Sequence, residues 1–96
     1  MISHGFAATS SGDRYVQQLV KHWGHRMATS YADGVGQVPF SNLTSATLTA
    51  RTDGIAIELK TPSAEDDVRM RGVIEDHLNR FAFREAPLDY RWELTA

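Results

Sequence analysis

No cysteine occurs among the 96 residues, so disulfides, thiolate metal sites and cysteine nucleophiles are excluded together. Long apolar runs are missing as well. No stretch approaches the roughly 18 apolar residues of a membrane span, and Met1 to Ser10 holds neither a basic leader nor an apolar signal core. A cytoplasmic protein with no membrane partner is therefore expected. Neither charge sign dominates: ten Lys and Arg against twelve Asp and Glu give a net charge of −2, which offers phosphate backbones no general attraction. No nucleic-acid partner is expected. Also absent are a G-x-S-x-G elbow, a glycine-rich phosphate loop and an H-E-x-x-H zinc motif. The length suits one domain, residues 1–96, and is far short of a (β/α)₈ barrel of about 250 residues.

What is present is clear alternation and two amphipathic stripes. Ile2, His4, Phe6 and Ala8 fall on one face and Ser3, Gly5, Ala7 and Thr9 on the other, the period of a half-buried strand. Ser10, Ser11, Gly12 and Asp13 then offer N-cap candidates and a favourable negative charge. The helix that follows places Tyr15, Val16, Leu19, Val20 and Trp23 in one apolar arc and should end at Gly24. Asp33-Gly34 and Asp53-Gly54 are hairpin turns and Ser41-Asn42 a weaker one, so four short strands fit between Arg26 and Lys60. Leu48, Ala50, Ile55, Ile57 and Leu59 share one face there, with Thr47, Thr49, Glu58 and Lys60 opposite. Ser63 caps a second helix with Asp66 at the capping-box position, and Met70, Ile74, Leu78 and Phe81 form its stripe before Pro87 stops it. Asp67–Arg71 and Asp76–Arg80 are favourable i,i+4 pairs. Leu88 to Leu94 alternates again as a closing strand. The order β-α-β-β-β-β-α-β predicts an α+β, two-layer sandwich: a mostly antiparallel sheet with both helices on one face, and Trp23, Leu48, Ile57, Ile74, Leu78 and Phe81 in one core.

Chemistry concentrates in two histidine-containing runs. His22 and His25 are i,i+3 neighbours about 60° apart on a helix that persists through Gly24, and diverge on one that stops there. His77 lies at the edge of the second stripe. With His22, His25 and His77 converging, and Glu85 or His4 as a fourth ligand, three or four nitrogen and oxygen donors would suit a transition metal. Arg80 and Arg84 share a flank with His77, beside Glu85, if the helix runs that far, and two guanidiniums there would hold a carboxylate or phosphate. The bland alternatives are a hydrogen-bonded core imidazole for His77, a solvated helix end for His22 and His25, and ordinary ion pairs for the arginines. Whether the two runs meet depends on strand order.

Through Asp13-Arg14-Tyr15, His22-Trp23-Gly24-His25, Asp33-Gly34, the run from His77 to Glu85, and Trp92, the chain resembles the DUF2218 family of small uncharacterised bacterial proteins along nearly its whole length. The resemblance marks His22, Trp23, His25, His77, Arg80, Phe81, Phe83, Arg84 and Glu85, and implies no catalytic role for any of them.

The expected function is a small cytoplasmic binding or accessory module that takes a metal ion or small anionic ligand near His22, His25, His77, Arg80, Arg84 and Glu85. The alternatives are a small lyase-like enzyme, with a histidine general base and an arginine carboxylate clamp, and a purely structural or interaction protein. Oligomeric state is open.

Overall fold

The computed structural model describes residues 1–95 and has the expected element order. Strand β1 (Ile2–Ala8) leads to helix α1 (Gly12–Trp23). Strands β2 (Ser30–Ala32), β3 (Val35–Pro39), β4 (Ser45–Arg51) and β5 (Gly54–Lys60) form a meander, followed by helix α2 (Ala64–Phe81) and strand β6 (Asp89–Leu94). All pairings are antiparallel, in the order β2-β3-β4-β5-β1-β6. The last strand closes on the first, which sets β1 inside the sheet.

One register row crosses all six strands through Trp92, Gly5, Ile57, Leu48, Gly36 and Tyr31, and this face carries both helices. Above Gly36 sits α1: an added Cβ there would lie 2.6 Å from Val20 Cγ2 and 2.9 Å from Val16 Cγ1, so the missing side chain sets how closely helix and sheet approach. At the other end Trp92 lies over Gly5, and its indole N–H donates to Glu75 of α2 at 2.6 Å. Leu19, Leu48, Ile55, Ile57, Leu59, Ile74 and Leu78 fill the space between the layers.

Three local details go beyond the sequence reading or against it. In β1 the buried face is the small one, Ser3, Gly5 and Ala7, while His4 and Ala8 are exposed and Ile2 and Phe6 half-buried. Small residues are required because Trp92 and α2 occupy the space above them: the Ser3 hydroxyl donates to Asp67 at 2.6 Å. The β4–β5 turn is Thr52-Asp53 rather than Asp53-Gly54, since Arg51 pairs with Gly54. The Asp33-Gly34 turn forms as expected, with φ of 50° and 80°, the left-handed pair that a two-residue hairpin needs. Third, α2 stops at Phe81, well before Pro87. Asn79 Oδ1 accepts from the Leu88 backbone N–H at 3.0 Å and from the Tyr90 hydroxyl at 2.8 Å, which turns the chain back along the helix toward β6.

The caps follow the same logic. Ser63 Oγ accepts from the Asp66 N–H at 3.1 Å, as the capping pattern requires. At α1, Ser11 is the N-cap but makes no side-chain cap; Thr9 Oγ1 instead accepts the Ser11 N–H at 3.1 Å. Of the two i,i+4 pairs, Asp67–Arg71 forms at 2.8 Å, while Asp76 and Arg80 make no ion pair among the described residues.

Candidate functional site

Because α1 and α2 lie side by side on one sheet face, the seam between them gathers the end of α1 and the second half of α2. His22 and His77 meet there, with ring centroids 5.4 Å apart. His22 also stands edge-on to Phe81 at 5.8 Å, and His77 lies 4.8 Å from the buried Trp23, whose other edge meets Phe40 at 4.8 Å. His77 Nδ1 is 2.7 Å from the Val73 carbonyl, so this nitrogen is the donor and a neutral ring leaves Nε2 as an acceptor. His22 is exposed, yet partial desolvation lowers its pKa below the ordinary 6.5, and the nearby His77, Arg80, Arg26 and His25 push the same way. His22 is therefore neutral at pH 7.

Two of the expected ligands are elsewhere. Helix α1 ends at Trp23 and the chain turns through Gly24, so His25 sits exposed beyond the helix, near enough to His22 to act on its charge but not grouped with His22 and His77 as metal ligands among the described residues. His4 is on the sheet face opposite the helices, with Nε2 3.3 Å from Glu58 and Nδ1 3.0 Å from Thr95 Oγ1. Among the described residues no three His, Cys, Asp or Glu side chains are grouped to hold a metal ion. The pair His22–His77 stands, but neither His25 nor His4 completes it.

The arginine cluster is redistributed in the same way. With α2 ending at Phe81, only His77 and Arg80 are helical, while Arg84 and Glu85 belong to the turn that follows. That turn folds against α1. Tyr15 donates its hydroxyl to Glu85 at 2.5 Å, and this bond, with burial, raises the phenol above its ordinary pKa of 10.0. Arg84, Phe83 and Phe81 face Arg14, Tyr15 and Gln18 across a groove of about 240 Å³. Neither Arg14 nor Arg84 makes an ion pair among the described residues; the Arg84 guanidinium lies over the Phe83 ring at 5.7 Å. Phe81 belongs to both groups, so the groove and the histidine seam are continuous. Sequence reasoning missed Arg14 and Gln18, although Arg14, Gln18 and His22 recur at i,i+4 and form one stripe on α1.

A wider depression of about 750 Å³ opens at the start of α1, lined by Arg14 and Arg51 but also by Asp13 and Asp33. Opposite charges offset one another there, and Tyr31 donates its hydroxyl to Asp13. The seam has the stronger excess of cationic groups.

Among curated proteins none matches the chain. Of solved structures, the NMR structure of PA4090 from Pseudomonas aeruginosa is similar, with a TM-score of 0.80 at 30% sequence identity, covering 96% of this chain and 94% of that one. The model of the family described as "Uncharacterized protein conserved in bacteria (DUF2218)" matches residues 4–93, a span that takes in both helices, strands β2 to β5 and most of β1 and β6. The chain belongs to the DUF2218 family.

Proposed function

We propose that this protein is a small cytoplasmic binding module whose ligand is a small anion, a phosphate or a short carboxylate, held in the α1–α2 seam. The observation that carries the reading is the groove between Arg14 and Arg84, two guanidiniums without carboxylate partners among the described residues, with Glu85 engaged by Tyr15 instead. Guanidinium groups bind planar and tetrahedral oxyanions through paired N–H donors, and Gln18 adds an amide. A volume of about 240 Å³ lies below the roughly 300–1,000 Å³ of drug-sized pockets, which suits a small ligand. Phe81 and the exposed Phe83 supply an apolar wall beside these donors. A metal ligand has less support, because among the described residues no third His, Cys, Asp or Glu joins His22 and His77 as a metal-holding group. Among the described residues no helix is long and apolar enough to cross a membrane. The net charge of −2 disfavours nucleic acid as the anion.

A second reading is favoured by the neutral His22: a small lyase in which that imidazole accepts a proton from an acid held by the arginines. Calorimetric titration separates these readings. Inorganic phosphate, pyrophosphate and citrate are titrated into the wild type and into the Arg14→Ala/Arg84→Ala double variant, with zinc as a separate arm. Saturable binding of one anion, weakened about tenfold or more in the variant, is expected. Binding of none, or equal binding by both proteins, would refute the anion reading, and a saturable zinc site would replace it.

A further inference from the structure

The sheet has two edges of unequal character. At one end β2 has only three residues, a length that protects an edge from pairing. At the other, β6 spans six residues from Asp89 to Leu94, pairs with β1 without a bulge, and contains neither proline nor lysine. The phase of its backbone is fixed: the Thr95 N–H donates to the Ile2 carbonyl at 2.8 Å, so Asp89, Arg91 and Glu93 direct their main-chain groups to β1. Tyr90, Trp92 and Leu94 then direct theirs outward, and none of these finds a main-chain partner on that side among the described residues.

We propose that β6 is a homodimer interface, on which the β6 of a second copy pairs antiparallel to form one continuous sheet. The side-chain charges select the register. A two-fold axis normal to the sheet keeps the helices of both copies on one side, so residues of like parity face each other. Centring on Trp92 places Arg91 opposite Glu93 of the second copy, twice by symmetry, and Tyr90 opposite Leu94, which is 49% exposed. Centring on Arg91 sets Arg91 against Arg91 and Asp89 against Glu93. Centring on Glu93 sets that carboxylate against itself, and centring on Tyr90 sets Asp89 against Arg91 but needs the Leu88 N–H, which already donates to Asn79 Oδ1 at 3.0 Å. Only the Trp92-centred register therefore joins opposite charges along the strand and uses the outward main-chain groups, for about six intermolecular hydrogen bonds. Arg91 and Glu93 are exposed and make no ion pair within the protomer among the described residues, so both charges are available to the second copy.

Sedimentation equilibrium over a concentration series up to about 1 mM tests this. The wild type is expected to approach twice the 10.7 kDa of the protomer. Arg91→Glu sets two like-charged pairs across the axis, as does Glu93→Arg, and each should weaken self-association about tenfold or more. An equimolar mixture of the two variants restores both opposite-charge pairs and should recover the dimer. Leu94→Pro removes an outward N–H without touching the β1 ladder. It should be monomeric with an unchanged circular dichroism spectrum, and if that spectrum is lost the charge variants alone decide. A wild type that stays monomeric throughout, variants that associate like the wild type, or a mixture that fails to recover the dimer would each overturn the proposal.

Discussion

Replacing Asp67 with alanine should destabilise the fold by about 3 kcal/mol, through loss of the polar chain that fastens α2 to the sheet. The carboxylate is almost fully buried, accepts the Ser3 hydroxyl at 2.6 Å on one oxygen and faces Arg71 at 2.8 Å on the other. Alanine leaves the wholly buried Ser3 hydroxyl without its acceptor and Arg71 without its counter-charge, and Arg71 Nε already has no partner. Removing one member of a buried pair costs about 3–5 kcal/mol, and an unsatisfied buried hydroxyl about 1–3 kcal/mol. The Arg71 side chain is 23% exposed and can turn partly to water, which takes the pair contribution below its fully buried value and the total to about 3 kcal/mol. For a domain of this size about 3 kcal/mol lowers Tm by roughly 12–24 °C. Urea unfolding followed by tryptophan fluorescence measures it directly, since the Arg71 guanidinium lies over the Trp92 ring at 5.3 Å. The double variant Asp67→Leu/Arg71→Met should be less damaged than Asp67→Ala, because no charge is left buried. A loss below about 1 kcal/mol for Asp67→Ala would show that the pair does not fasten the helix.

Other consequences are independent of this one. Gly36→Ala should cost about 1–3 kcal/mol by pressing on Val16 and Val20, and Val20→Ala in the same chain should recover part of it in urea unfolding. Leu78→Ala should cost about 2–5 kcal/mol by the same assay, as this side chain is fully buried. Carbon-bound imidazole proton NMR should find His22 titrating below 6.5, and Arg80→Met should move that titration upward. A lowered folded pKa means that the unfolded chain takes the proton first. Stability therefore falls as pH drops through 6.5 and levels off below the folded pKa, and His22→Gln should flatten this part of the profile.

Much of the architecture is legible in the sequence because period and punctuation agree. Apart from Gly12 at its start, the buried residues of α1 are the arc Tyr15, Val16, Leu19, Val20 and Trp23, and those of α2 include Met70, Ile74 and Leu78. Phe81, the last residue of that stripe, is only half-buried because it faces the open seam beside His22. The burial of β1 is not legible from hydropathy: Ile2 and Phe6 are its large apolar residues, yet Trp92, 87 positions beyond Gly5 in number, takes the space over the small face. The end of α2 is equally hidden, since Ala82 to Ala86 contains residues that suit a helix and only the tertiary bond from Leu88 to Asn79 records the reversal. The meeting of His22 with His77 depends on which strands lie beneath each helix. That follows from β1 standing between β5 and β6, a long-range pairing that no local pattern encodes.

The most direct test of the seam as the ligand site is a ¹⁵N NMR titration of the whole chain with inorganic pyrophosphate and, separately, citrate. Saturating shifts are expected for one of them, concentrated at Arg14, Gln18, His22, Phe83 and Arg84. Shifts that fail to saturate by about 10 mM, or that gather instead on the opposite sheet face around His4 and Glu58, would contradict it.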